Sequence, residues 1–333
     1  MKTDNSIFLK LSDLVVGYHG KALMPPVNAS IKRGELVSVV GHNGIGKSTL
    51  LRTLAGVSER LSGGIAIDND DIKDIDIKEL ARRVGYISTD IVNVPNMTVF
   101  DLIATGRYSY TNWFGAITET DRQIIYRSAK LTGITHLIDR FLNELSDGER
   151  QRSMIARVLA QDTDLLIMDE PAAFLDIRNR HEIMNLLHQL TRAATKTIVM
   201  STHDLQSAMG ESDVIWVLTG DGLTVGAPED LVLQGAFEAI FSCDTVKFKK
   251  SDGNFYPVRE VRGEASVTGT GLMAQWTIKA LTRAGYRFRN VSSADGVNVV
   301  CDESGNSWRV SYMGECNSFS SLYDLSEFLR RAE

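Results

Sequence analysis

Two rhythms of apolar residues run along the chain. Short stretches at 7–16, 27–31 and 35–40 read as strands separated by turns, and the last of them ends at a glycine-rich loop. From about Gly46 onward, Leu50, Leu51, Leu54 and Ala55 recur at the three- and four-residue spacing of one buried helical face. Another short strand, 65–67, follows Gly63-Gly64. Between about 96 and 160 the spacing is again helical, through Val99, Leu102 and Ile103 and then Ile124, Ile125, Ala129 and Leu131, which predicts a helical insertion. The run 165–168 has no polar face, as a buried parallel strand has, and a helix over 177–190 and a strand over 197–200 follow it. This alternation predicts an α/β fold.

After Val246 the composition shifts, and Lys247-Phe248-Lys249-Lys250-Ser251-Asp252-Gly253-Asn254 reads as a strand end and a turn. Beyond it the spacing predicts a helix carrying Leu272, Trp276, Ala280 and Leu281, strands at 286–291, 297–301 and 307–312, and a closing helix with Leu322, Leu325, Phe328 and Leu329. The chain is therefore divided into a main part, 1–255, and a small α-β-β-β-α unit, 256–333. Trp276, Leu281, Phe328 and Leu329 are expected in that unit's own core with Trp308 nearby, and Arg287, Arg289 and Arg309 on a solvated face. Its role is open between a stabilising appendage and a regulatory, ligand-sensing or dimer-bracing module.

Composition narrows the class. The 333 residues are 43% hydrophobic and 23% charged, as in ordinary globular proteins. The longest unbroken apolar run, 214–218, is far short of the roughly 18 residues that a spanning helix needs. With no secretory or lipidation pattern at the first residues, the expectation is a protein that stays in the cytoplasm. Cys243, Cys301 and Cys316 are widely spaced without a Cys-x-x-Cys pair and are expected to be buried structural thiols. A net charge of -6 removes the footprint of a protein that grips phosphate backbones non-specifically, so nucleic acid is not expected as a partner.

The chemistry lies in the loops. Gly41-His42-Asn43-Gly44-Ile45-Gly46-Lys47-Ser48, continued by Thr49, fits G-x-x-x-x-G-K-[ST] and stands between an apolar strand and a helix. Glycines there let backbone N–H groups wrap phosphate oxygens, the helix N-terminus adds partial positive charge, Lys47 reaches terminal phosphates and Ser48 offers a hydroxyl to Mg²⁺. The strand 165–168 ends in Asp169-Glu170, and adjacent carboxylates can divide two tasks: Asp169 holding Mg²⁺ through water, Glu170 orienting and deprotonating the attacking water. Between these two motifs stands Leu145-Ser146-Asp147-Gly148-Glu149-Arg150-Gln151-Arg152. Ser146 with Glu149 three residues later is a capping box, which starts a helix whose free N–H groups can face an anion.

That last segment resembles the signature motif of the ABC ATPases, usually Leu-Ser-Gly-Gly-Gln, with Asp147 and Glu149 as departures. The resemblance implies that Ser146 and Gly148 meet the γ-phosphate of ATP held by a partner subunit, and that Asp147 points away from it. Ala173-Phe174-Leu175-Asp176 resembles the D-loop, which places Asp176 at the nucleotide, and Ser201-Thr202-His203-Asp204 resembles the segment whose histidine contacts the γ-phosphate. Tyr18 stands where the family stacks an aromatic on adenine. After Val84-Gly85-Tyr86-Ile87 the family usually has a Gln that senses Mg²⁺ and couples the helical insertion to the permease. Here Thr89 occupies that place as a candidate metal residue, but its shorter hydroxyl reaches the metal only through water, so either Asp90 substitutes or the coupling differs.

Further stretches, Asn96-Met97-Thr98-Val99, Gly106-Arg107-Tyr108-Ser109-Tyr110-Thr111 and Ala156-Arg157-Val158-Leu159-Ala160-Gln161, resemble importers of iron-siderophores, haem and cobalamin. The aromatic-rich loop with Tyr108, Tyr110, Trp113 and Phe114 fits either a surface that meets a permease or local packing. The likeness covers roughly 5–255. It implies a P-loop core with a RecA-like mixed sheet, an antiparallel β subdomain and a helical subdomain at about 95–160. It further implies ATP and Mg²⁺ as cofactors, a homodimer enclosing two ATP molecules, permease subunits as partners, indirectly a substrate-binding protein, and a peripheral location on the cytoplasmic face of the cell membrane. A non-transport ABC ATPase acting on DNA or ribosomes is the alternative, disfavoured by the single cassette and the acidic charge. A P-loop GTPase or kinase would leave the Ser146 motif and His203 unexplained.

Overall fold

The computed structural model describes residues 7–90, 94–111, 116–291 and 296–331. The chain divides into two compact units, Met1–Ser242 with Phe248–Asn254, and Cys243–Lys247 with Phe255–Glu333.

In the first unit a six-stranded sheet runs in the order Gly222–Gly226, Val214–Thr219, Leu36–Val40, Thr197–Ser201, Leu165–Met168 and Val84–Ile87. All neighbours are parallel except the first two strands, which pair antiparallel. The strands Leu36–Val40, Thr197–Ser201 and Leu165–Met168 are buried along their whole length, which is why they read as mainly apolar, with only small hydroxyl residues between, rather than alternating. Their side chains nevertheless alternate between two cores. Val37, Val39, Leu165, Ile167 and Val199 join Leu50, Leu51 and Leu54 of the Lys47–Leu54 helix in one cluster. Leu36, Leu166, Met168, Ile198 and Met200 face the other way, toward the helices.

The first cluster is closed by an antiparallel sheet of Val27–Lys32, Ile7–Val15, Ser62–Ile67 and Asp70–Asp71, which contributes Phe8, Leu9, Leu11, Leu14 and Ile65. The second holds the helices Val99–Thr105, Glu119–Leu131, Asp147–Ala160 and Ile177–Ala194. Local chemistry sets their starts: Thr98 with Asp101, Thr118 with Asp121 and Ser146 with Glu149 each form a reciprocal capping box. The helix expected over 177–190 runs on to Ala194 and stops where Thr195 turns left-handed (φ 52°).

The second unit differs from its sequence reading. Strand Gly263–Thr268 precedes helix Gly271–Arg283, and strand Glu315–Phe319 precedes helix Leu322–Arg331, so the order is β-α-β-β-β-β-α. The sheet runs Tyr286–Phe288, Gly263–Thr268, Val297–Asp302, Ser307–Tyr312, Glu315–Phe319. Gly263–Thr268 is an interior strand yet carries little apolar volume, and the Glu315–Phe319 edge brings one large residue, Phe319, to the core, so neither shows in hydrophobic periodicity. Leu281, Tyr286, Val297, Val299, Trp308, Val310, Leu325 and Leu329 form the core. Trp308 is locked there by its Nε1–H donating to Thr277 Oγ1 at 2.8 Å.

Trp276 is not in that core: it is 57% exposed. The buried positions of its helix are Ala274, Thr277, Ala280 and Leu281, which turn residue 276 outward, and the Lys279 ammonium lies 4.3 Å from its ring centroid. Phe328 is only partly buried, against Phe319. The arginines 287, 289 and 309 are exposed, with Arg289 paired to Glu264. The cysteine expectation is corrected as well. Cys243 and Cys316 are exposed and Cys301 is half-buried; Cys316 sits on the edge strand, opposite Ser311.

Candidate active site

Four loops that the sequence marks for chemistry leave the carboxyl ends of four adjacent parallel strands. The P-loop follows Leu36–Val40, the His203 segment follows Thr197–Ser201, Asp169-Glu170 follows Leu165–Met168, and Thr89 comes just after Val84–Ile87. In open α/β sheets this end is where ligands bind.

The P-loop is shaped by space and by backbone. A Cβ on Gly41 would stand 2.5 Å from the Leu218 carbonyl oxygen. Gly46 takes φ 110° as it caps the Lys47–Leu54 helix, a conformation that a side chain would strain. Asn43, Gly44 and Ser48 are exposed along the loop and Ile45 is half-buried. Lys47 is only 6% exposed, and its Nζ donates to the carbonyls of Gly41 (2.8 Å) and His42 (3.1 Å). Burial pushes its pKa down, against the opposing pull of Glu170 and Asp169. A buried ammonium that donates to two carbonyl oxygens beside a helix N-terminus is suited to an anion such as a nucleotide phosphate. His42 Nε2 lies 3.0 Å from the Ile240 carbonyl oxygen, which it meets as donor. Thr49 Oγ1 donates to the Tyr18 hydroxyl at 2.9 Å, so the half-exposed tyrosine ring is tied to the P-loop helix.

The carboxylates are organised by a residue whose role the sequence reading passed over. Ser201, fully buried, donates its Oγ–H to Asp169 Oδ1 at 2.6 Å and accepts the Glu170 N–H at 2.9 Å. Asp169, 2% exposed, is thereby fixed at the end of its strand, while its own N–H donates to the Ile87 carbonyl. Glu170 takes a left-handed backbone, φ 51°, uncommon for a residue with a side chain. His203 Nδ1 lies 3.2 Å from Glu170 Oε2, so these two predicted residues do come together. Ser201 stood in the quoted His203 segment, but only the register of adjacent strands brings its hydroxyl to the Asp169 carboxylate and the Glu170 N–H.

Thr89 and Asp90 are exposed just past the strand whose Ile87 carbonyl holds Asp169. The approach to them is pinned from the helical region: Arg157 donates to the Tyr86 carbonyl at 2.9 Å, and Gln161 Nε2 to the Val84 carbonyl at 3.0 Å. Tyr110 packs between Arg82 and Arg107, whereas Tyr108 is exposed; Trp113 and Phe114 lie outside the described residues.

Ser146 starts the Asp147–Ala160 helix, accepting the Glu149 N–H and donating its hydroxyl to Glu149 Oε2 at 2.7 Å. Asp147 is exposed and pairs with Arg150. Asp176 caps the Ile177–Ala194 helix by accepting the Asn179 N–H. Phe174 before it is left-handed (φ 62°) and exposed. Among the described residues, no hydrogen bond or ion pair joins Ser146 or Gly148 to the P-loop of the same chain. Nor do three or more His, Cys, Asp or Glu side chains gather to hold a metal ion. The oxygen donors Ser48 and Asp169 fit Mg²⁺ that also takes phosphate and water ligands, since that ion is usually held by one or two carboxylates and the substrate.

Comparison with known proteins identifies the arrangement. Residues 24–173 match the family described as ABC transporter, and residues 262–330 the family described as iron ABC transporter C-terminal domain. An uncharacterized ABC transporter ATP-binding protein of Methanocaldococcus jannaschii is 36% identical over 248 residues, 74% of this chain and 86% of that one. The ferric enterobactin transport ATP-binding protein FepC of Escherichia coli is 34% identical, over 72% of this chain and 89% of its own length. The petrobactin import ATP-binding protein FpuD of Bacillus anthracis is 34% identical, over 70% and 86%. Among solved structures, cbiO1 from Clostridium perfringens, part of the ABC transporter complex cbiONQ, aligns with a TM-score of 0.61 at 30% identity, over 70% of this chain and 93% of that one. The dimeric ATP-binding cassette MJ0796 bound to ADP and Pi aligns at 0.58 and 27% identity, over 66% and 98%. The chain belongs to the ABC transporter ATP-binding family, and it is an ATPase.

Proposed function

We propose that this ABC ATPase works as a homodimer on the cytoplasmic face of a cell membrane and powers permease subunits that import a ferric siderophore delivered by a binding protein. The observation that carries the reading is the gathering of the P-loop, Asp169-Glu170, His203 and Thr89 at one end of the parallel sheet, while among the described residues no hydrogen bond or ion pair joins Ser146 or Gly148 to the P-loop of its own chain. A half-site that its own chain does not complete calls for a second copy, and head-to-tail pairing completes both sites at once. The substrate class follows the iron-family match of the second unit and the siderophore relatives.

In this reading Gly41, His42, Asn43, Gly44, Ile45 and Gly46 surround the phosphates, Lys47 draws the terminal ones, Thr49 secures Tyr18, and Tyr18 stacks on adenine. Ser48 and Asp169 hold Mg²⁺ through oxygen, with Thr89 on the same side. When bound, Mg²⁺ neutralises charge on the β- and γ-phosphate oxygens. Glu170 orients the attacking water and accepts its proton, and His203 steadies the Glu170 carboxylate and reaches the γ-phosphate. Ser146, Gly148 and Asp176 contribute from the facing chain.

The test is the complex of this chain with its permease, reconstituted in vesicles. A ferric siderophore presented on its binding protein should stimulate ATP hydrolysis and accumulate across the bilayer. Glu170→Gln should abolish turnover while ATP-bound dimers build up. Unimpaired hydrolysis in that variant sinks the assignment of the base, stimulation by haem or cobalamin instead changes the substrate, and recovery with nucleic acid rather than a membrane partner sinks the transport reading.

A further inference from the structure

The Asp147–Ala160 and Ile177–Ala194 helices begin beside each other, and Asn179 joins their first turns. Its backbone N–H donates to Asp176 Oδ1 at 2.7 Å and its side-chain Nδ2 donates to Asp176 Oδ2 at 3.0 Å, so one residue holds both carboxylate oxygens. The same carboxamide covers Gly148. A Cβ built on Gly148 would lie 2.8 Å from Asn179 Oδ1 and 2.9 Å from its Cγ.

Gly148 has ordinary helical backbone, so it is glycine for room and not for conformation. One turn on, Arg152 ties the two helices again by donating to Glu182 at 2.7 Å. Ser146, Gly148 and Asn179 line one cavity with Arg152 and Glu182. Asp147, which departs from the usual glycine, faces solvent and meets none of these constraints.

We propose that Asn179 is a positioning residue for ATP hydrolysis: its carboxamide couples the Gly148 backbone of the signature segment to Asp176, so that phosphate docking on Ser146 and Gly148 sets the D-loop of the same chain. This rests on the reading above, in which the nucleotide of one protomer meets those residues of the other. The coupling is short. Phosphate drawn to the Gly148 N–H shifts a backbone against which Asn179 is already packed, and Asn179 cannot move without moving the Asp176 carboxylate. The segment 171–176 then leads straight back to Glu170.

The test compares Asn179→Ala with Asn179→Asp. The second keeps the volume over Gly148 but replaces the donor to Asp176 with a like charge. Both should lower kcat by about tenfold or more, the range for losing a hydrogen bond to a charged group. KM for ATP and binding of a fluorescent ATP analogue to the P-loop should stay as in the parent chain, and both variants should remain folded at the assay temperature, with the kcat loss larger than any loss of folded fraction read by melting. Gly148→Ala should lose ATP-dependent dimerisation in the Glu170→Gln background, and adding Asn179→Ala should restore part of it by giving the new methyl room. Parent-level kcat in Asn179→Asp, or a kcat loss that only tracks a lowered melting temperature in both variants, overturns the proposal. Absence of rescue refutes the contact. If Glu170→Gln traps no ATP-bound dimer at all, the dimer reading fails first and takes the proposal with it.

Discussion

Replacing Ser201 with alanine removes the hydroxyl that bridges the Asp169 carboxylate and the Glu170 backbone N–H. Ser201 is fully buried, donates to Asp169 Oδ1 at 2.6 Å and accepts the Glu170 N–H at 2.9 Å. A hydrogen bond to a charged group contributes roughly 1.5–3 kcal/mol, and a donor left unsatisfied costs roughly 1–3 kcal/mol. These terms share one site and do not simply add, so a net loss of about 2–4 kcal/mol is expected in the unfolding transition of the first unit. The Glu170 N–H is also what steadies a left-handed backbone (φ 51°) that costs on the order of 1–3 kcal/mol to maintain. Released, Glu170 relaxes and its carboxylate leaves the position set by His203. Turnover should therefore fall by about 10–100-fold, since small misplacements of a catalytic group are that costly. Nucleotide affinity should change little, because Lys47 and the P-loop keep their contacts. Urea unfolding, single-turnover ATPase and a nucleotide-binding titration measure the three quantities. Wild-type stability with wild-type turnover would show that the Ser201 bridge does nothing, and a loss of ATP binding equal to the loss of turnover would place its effect on the P-loop instead.

Other expectations follow from single features. The Lys47 pKa is depressed by burial, so from that value up to the ordinary lysine value the unfolded chain binds the extra proton and stability rises with pH; the slope should vanish in Lys47→Met, and an unchanged slope refutes the assignment. Asp121 is held below the ordinary carboxylate range by the Thr118 hydroxyl and then by Arg107 at 2.8 Å. Its contribution is complete above the unfolded carboxylate value and is lost as pH falls through the lower folded value, below about pH 4, so Asp121→Asn should flatten acid-denaturation curves there. Arg107→Met leaves that buried carboxylate unpaired and should destabilise the helical region by about 3–5 kcal/mol, read by denaturant unfolding. In the second unit Trp308→Ala should cost roughly 3–5 kcal/mol while Trp276→Ala costs little, and the reverse order in calorimetry would contradict the core described here.

What the sequence by itself determined is local. The P-loop, the Asp169-Glu170 strand end and the Ser146–Glu149 box are each defined by neighbours within a turn, so spacing was enough to locate them and to start the right helices. The buried parallel strands were legible because burial on both faces leaves few polar positions. Only the tertiary structure decided the rest, because each remaining feature depends on residues far apart in the chain. Ser201 reaches Asp169 through strand register, Asn179 reaches Gly148 through the approach of two helices, and neither meeting leaves a mark in a single segment. Gly263–Thr268 is a strand because partners pair with it on both sides, although its own residues are small and polar. Trp276 and the exposed cysteines carry apolar chemistry that sequence assigns to a core, but helix phase and sheet edge are set by the packing of the whole unit, and that packing turned them to the solvent.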